Sequence, residues 1–189
     1  MSKELYRQLQ AFKPYNMQEE QDQKVMLTYM DTFHNVFTRE NIFGHFTSSP
    51  WIVNPSRDKV LMVYHNIFQS WGWCGGHCDG NMDVLQVAIQ EGKEETGLKN
   101  LKVLSKEIFA IDILPVISHK KNHTFVSAHT HLNLTFLCEA DENEVLHHKP
   151  DENSGVKWIN IEDICHYVSE PDMKVVYQKL IEKMKRMDI

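Results

Sequence analysis

The sequence predicts a single mixed α/β (α+β) domain with helical extensions at both ends, and three observations predict it. Apolar residues recur at helical spacing near the two termini, alternate at strand spacing through the middle, and are interrupted there by one well-capped helix. The chain has 189 residues, enough for one sizeable core and too few for two ordinary domains.

Taken in order, Leu5, Leu9 and Phe12 keep helical spacing until Pro14 stops them. Asn16 and Glu19 then have capping-box form ahead of a stripe made by Met26, Tyr29, Met30 and Phe33. We assign residues 1–40 to a helical N-terminal extension and 41–189 to the main domain. Residues 46–53 and 59–65 read as strands joined by the turn Asn54-Pro-Ser-Arg-Asp58. A helix is expected over 84–96, capped by Asp83 with Gln86 and ended by Gly97. Residues 101–116 hold one or more strands, and 128–139 and 156–161 one each. A brief helix follows near 162–168, then a last helix over 172–187, with Pro171 beside its first turn and Val176, Leu180, Ile181 and Met184 on one face. Its Lys179, Lys183, Lys185 and Arg186 gather toward the C-terminal end, where the helix dipole favours positive charge.

Bulk properties narrow the function. The formal net charge of −6 argues against a non-specific nucleic-acid binder. The polar N-terminus does not read as a secretory signal, and the longest apolar runs are far too short for a membrane span, so a cytoplasmic protein is expected. Cys74 and Cys78 lack a second close pair of zinc ligands, and the four cysteines read as free thiols.

Glu91, Glu94 and Glu95 stand at i, i+3 and i+4, on one side of the expected helix. Like charges at that spacing cost about 0.2–0.5 kcal/mol per pair. A hard divalent cation with oxygen preference, Mg²⁺ (or Mn²⁺) bridging to substrate phosphates, would remove the repulsion. A solvated acidic face is the commoner origin of such a pattern taken alone. In the strand 128–139, alternation sends His129, His131, Asn133 and Thr135 one way and Thr130, Leu132, Leu134 and Phe136 the other. The polar set either lines a substrate cavity or satisfies itself and solvent. The basic segment His119-Lys-Lys-Asn-His123 is either a phosphate clamp or a solvated loop. Trp71, Trp73 and Tyr64 either stack on a base or belong to the core.

The segment Gly75–Leu98 resembles the Nudix box, with matches at Gly76, Glu91, Glu94, Glu95, Gly97 and Leu98 at the box spacing. The approach Trp71-Gly-Trp-Cys-Gly-Gly76 and the late strand with Trp158 are also similar to that family, so the likeness covers roughly residues 46–168. Three positions depart: Met82 stands for the first box glutamate, Gln90 for the box arginine and Gly92 for the apolar residue. Losing both members of the Glu–Arg pair removes it without stranding a charge.

The resemblance implies a mixed β-sheet sandwiched between helices. It further implies a Mg²⁺-dependent hydrolase cleaving a diphosphate linkage in a small nucleoside diphosphate derivative. It places the metal on Glu91, Glu94 and Glu95, and the catalytic work on Glu94, Glu95 and the loop residue Glu152, a candidate general base. Gly75, Gly76, His77, His129, His131 and Asn133 are the substrate-contact candidates. Rival readings are a weakly catalytic or inactive nucleotide-binding protein, a diphosphate isomerase of the same superfamily, and an interaction protein acting through its amphipathic ends. Those ends more simply cover the domain or form a homodimer contact.

Overall fold

The computed structural model describes residues 2–121 and 124–187, with the side chain of Lys121 excepted. Two helices come first, α1 (Lys3–Ala11) and α2 (Met17–Thr32). Ser2 caps α1 by accepting from the Leu5 N–H, and Asn16 caps α2 by accepting from the Glu19 N–H. The strands β1 (Gly44–Val53), β2 (Lys59–His65), β3 (Ser70–Gly72) and β4 (Gly76–His77) follow, then α3 (Val84–Thr96). Next come β5 (Lys102–Val103), β6 (Ala110–Val116), the hairpin β7 (His119–Lys121) with β8 (Thr124–Val126), β9 (His129–Glu139) and β10 (Asn153–Asn160). The short α4 (Ile164–Tyr167) and the long α5 (Pro171–Lys185) end the described chain.

The main sheet runs β10-β2-β1-β9-β5, with β3 beside β2, β4 beside β1 and β6 beside β9. Its centre is the parallel pair β1–β9, in register from Gly44 opposite Thr130 to Val53 opposite Glu139. Every residue of β1 is buried, which suits a strand covered on both faces. Pro50 and Ile52 lie under α3, while Trp51 stacks on Tyr177 of α5 at 5.7 Å between ring centres. The sheet is thus a mixed one held between helices.

Leu5 and Leu9 of α1 and Met26 and Met30 of α2 share one apolar cluster with Phe46, Leu132, Leu134, Phe136 and Val87. The N-terminal helices are part of the main core. Trp51, Trp73 and Tyr177 form a second cluster with α4 and α5, so Trp73 is a core residue.

Lys179 and Lys183 differ from the sequence expectation. Lys183 lies in the last turn of α5 as expected, but both side chains are spent on buried carboxylates. Lys179 reaches Asp112 at 2.6 Å and Glu19 at 3.3 Å, and Lys183 reaches Glu19 at 2.8 Å, with all four groups largely withdrawn from water. Burial of the opposing carboxylates outweighs the weak dipole term that the sequence alone suggests. Among the described residues no helix is long and apolar enough to cross a membrane.

Candidate functional site

The site is assembled where β4, α3 and the start of β10 meet. β4 pairs antiparallel with β1, Gly76 opposite Ser48, which lays the Gly75-Gly76 backbone beneath one side of α3. A Cβ on Gly76 would come within 2.2 Å of the Glu91 carboxyl carbon, and one on Gly75 within 2.2 Å of Ser49 Oγ. At Gly75 a side chain would run into Ser49 and the Ser48 carbonyl, whereas at Gly76 the obstacle is the movable end of the Glu91 side chain. α3 in turn sits close on the sheet: a Cβ on Gly92 would lie 2.9 Å from Pro50 and 3.2 Å from Leu101. The glycine that departs from the Nudix pattern is therefore what lets the helix approach the sheet.

Glu91, Glu95 and Glu152 converge, each offering a carboxylate oxygen within 4.8 Å of the others. Glu95 is 2% exposed and accepts from the Gly75 N–H at 2.8 Å. Burial, followed by the nearby Glu91 and Glu152 charges, pushes its pKa up to about 8. Glu91 is raised as well, by burial first and then by Glu152 and Glu94. Asn153 fixes the approach of Glu152 by donating to the Glu95 carbonyl at 3.2 Å and accepting from the Lys149 N–H at 3.1 Å.

Glu94 is placed differently. It accepts from Gln90 Nε2 at 2.7 Å and faces Lys149 at 3.6 Å, at the rim of the carboxylate group. Lys149, unremarked in the sequence, also pairs with Glu152 at 3.1 Å. Burial works against its charge, yet Glu152, Glu91 and Glu94 together raise its pKa. Its ammonium is the local counter-charge of the acidic group. Met82, in the place of the first box glutamate, is 51% exposed and stands outside this network.

The polar face of β9 divides in two. Asn133 is buried and spent internally: its Oδ1 accepts from Thr47 at 3.0 Å and Ser49 at 2.9 Å, and its Nδ2 donates to Thr135. His129 and His131 face each other at 3.3 Å between Nε2 atoms and meet His77 and His45. His45 was missed in the sequence because it precedes the first expected strand by one residue. The parallel register that sets it beside His131 is a tertiary fact. Asn122 and His123 of the basic segment lie outside the described residues, and His119 hydrogen-bonds through Nδ1 to the Ile117 carbonyl. Cys74 and Cys78 occupy separate apolar clusters, and burial pushes the Cys78 thiol up to about 12. A cavity of about 370 Å³ between α1 and α5, lined in part by Phe12, Phe109 and Lys183, contains none of these site residues.

A model of the NUDIX domain matches residues 44–184. Asymmetrical bis(5'-nucleosyl)-tetraphosphatases of Rattus norvegicus and Mus musculus are each 22% identical over 130 residues, 69% of this chain and 82% of theirs. Among solved structures, a Caenorhabditis elegans Ap4A hydrolase complex aligns with a TM-score of 0.54 at 17% identity, over 74% of this chain and 94% of its own. A Nudix hydrolase of M. smegmatis, RenU, aligns at 0.57 and 16% identity, over 78% of this chain and 90% of its own. The matched span holds the whole sheet, α3 with its carboxylates and nearly all of α5, and so the chain belongs to the NUDIX family as a pyrophosphohydrolase of that type.

Proposed function

We propose that the chain cleaves a diphosphate linkage in a nucleoside polyphosphate derivative with a divalent cation, Mg²⁺ or Mn²⁺, held by Glu91, Glu95 and Glu152. One observation carries this: three carboxylates, two from α3 and one from the loop before β10, lie within 4.8 Å of one another. The residues fit the ion, since oxygen donors suit a hard cation, and the burial and neighbouring carboxylates that raise Glu91 and Glu95 are offset by positive charge. When bound, the cation supplies Lewis acidity to the phosphoryl oxygens and lowers the pKa of attacking water.

The chain's own residues supply the rest. Gly75 and Gly76 let the β4 backbone lie close against Ser49 and the Glu91 carboxylate, and the Gly75 N–H holds Glu95 in place. Lys149 offers a point charge to the phosphate oxygens, and Glu94 stands beside it as a fourth carboxylate at the rim. Glu152, with its side chain 41% exposed, is accessible to water and can take the proton of the nucleophile. Glu95 is protonated near neutral pH without a cation and gives up that proton when one arrives.

The named activity of the rodent relatives makes a dinucleoside tetraphosphate the first substrate to test, beside ADP-ribose and nucleotide sugars. Product should form with Mg²⁺, and Glu95→Gln should lower kcat/KM by at least about 100-fold. Tight nucleotide binding without turnover of any compound would favour a second reading, a nucleotide-binding protein. That reading draws on the exposed Met82 and on Gln90, which bonds Glu94 where the family keeps an arginine.

A further inference from the structure

We propose that His45, His77, His129 and His131 form a second metal site, a four-imidazole staple for a zinc-class divalent ion, separate from the carboxylate site. The four residues come from three strands: His45 from β1, His77 from β4, His129 and His131 from β9. Each offers a ring nitrogen within 4.8 Å of the others, a spread that side-chain rotations can close onto one ion. The ring centres of the contacting pairs are 4.7–5.3 Å apart.

Three details distinguish this from four histidines that merely pack. First, His45 Nδ1 faces the Asn41 carbonyl at 3.3 Å and His129 Nδ1 faces the Ser127 carbonyl at 2.9 Å. A carbonyl only accepts, so both rings carry their proton on Nδ1 and present a bare Nε2. Backbone carbonyls commonly orient metal-binding imidazoles in this way. Second, His45 is 4% exposed and its Nε2 is buried without a hydrogen-bond partner, a desolvated lone pair with nothing in return. Third, the Nε2 atoms of His129 and His131 are 3.3 Å apart. Two nitrogens at about 2.0–2.1 Å from a tetrahedral Zn²⁺ are about 3.3–3.4 Å from each other.

Burial first, then the neighbouring imidazoles, hold His131 down at about 2, and burial lowers His45 as well. The nearby Arg39 is matched by Asp79 through two hydrogen bonds of 2.8 and 2.7 Å, so that pair leaves little net charge to oppose an ion. Four nitrogen ligands complete a tetrahedron and leave no position for water, which makes the site structural and not hydrolytic. It would pin β4, and with it Gly76, against β1 and β9.

The test uses the whole chain, stripped with chelator and titrated with Co²⁺ and Zn²⁺ in excess Mg²⁺. One equivalent of Co²⁺ should give an intense visible spectrum of tetrahedral nitrogen ligation, displaced by Zn²⁺. The spectrum should persist in Glu91→Gln and disappear in both His131→Asn and His129→Asn. Each variant is checked for fold by circular dichroism, and His129, which is partly exposed, is the one expected to tolerate change. A weak octahedral spectrum, uptake unaffected by either histidine variant, or uptake lost in Glu91→Gln would each overturn the proposal. In the first two cases a hydrogen-bonded histidine cluster remains, with His131 donating to His129. Hydrolysis by the carboxylate site is read separately, so failure of one assignment does not mimic failure of the other.

Discussion

Glu95 sits under two opposing demands, burial and charge. Its folded pKa near 8 lies well above the usual carboxylate range, so between about pH 4.5 and 8 the metal-free folded state binds a proton that the unfolded chain has lost. Stability is therefore fullest below that window and falls as the pH rises through it. We expect the chelator-treated protein to lose a few kcal/mol between pH 5 and 8 in denaturant titrations, with Mg²⁺ restoring much of the loss. Glu95→Gln, an uncharged carboxamide of the same shape, should flatten the dependence. A pH-independent midpoint in the wild-type, metal-free protein would show that Glu95 ionises as an ordinary surface carboxylate does. The shared face of the helix glutamates was legible in the sequence from spacing, and their role from the resemblance. Which of them converge was not: Glu91 and Glu95 point at the loop residue Glu152, while Glu94 turns to Gln90 and Lys149, and that division depends on where the loop lands.

The helix that carries these groups is defined by its ends and by one small residue. Asp83 caps it by accepting from the Gln86 N–H at 3.0 Å, and Gly97 closes it with φ of 76°. Asp83→Ala should cost about 1 kcal/mol by denaturant midpoint. Gly92→Ala sets two effects against each other. It gains about 1 kcal/mol of helix propensity, but its Cβ would lie 2.9 Å from Pro50. Overpacking of that kind costs about 1–3 kcal/mol, so net destabilisation is expected, with reduced cation affinity as α3 lifts. A variant more stable than wild type would refute the close approach. Elements with strong local signals were readable: Lys59–His65 and Val84–Thr96 have the bounds their patterns and caps predict. The two-residue β4 was not, because it owes its conformation to pairing with β1 and carries no periodicity of its own.

Across the molecule, the two ends of the chain are clasped together. Glu19 of α2 receives both Lys179 and Lys183 of α5, and Asp112 of β6 shares Lys179. Burial, against the pull of Lys179, leaves Asp112 raised to about 6. Lys179→Met should destabilise by about 3–5 kcal/mol, since it leaves two carboxylates buried without that partner, and the double change with Asp112→Leu should recover part of the loss. Thermal or denaturant unfolding of the wild type, both single variants and the double variant decides this; losses that simply add would show that the pair is not coupled. The sequence placed those lysines toward the helix C-terminus but could not say what would cover them.

The parallel pairing of β1 with β9 sets a schedule for biosynthesis. β1 has apolar side chains meant for both faces of a sheet, yet its central neighbour is not made until 86 positions later in the chain. A growing polypeptide must carry that strand without its mate until β9 has left the ribosome. Only then can the β4 glycines, α3 and the histidines of β9 find their common frame. Expression at lower temperature, where translation slows and apolar association weakens, should raise the soluble yield.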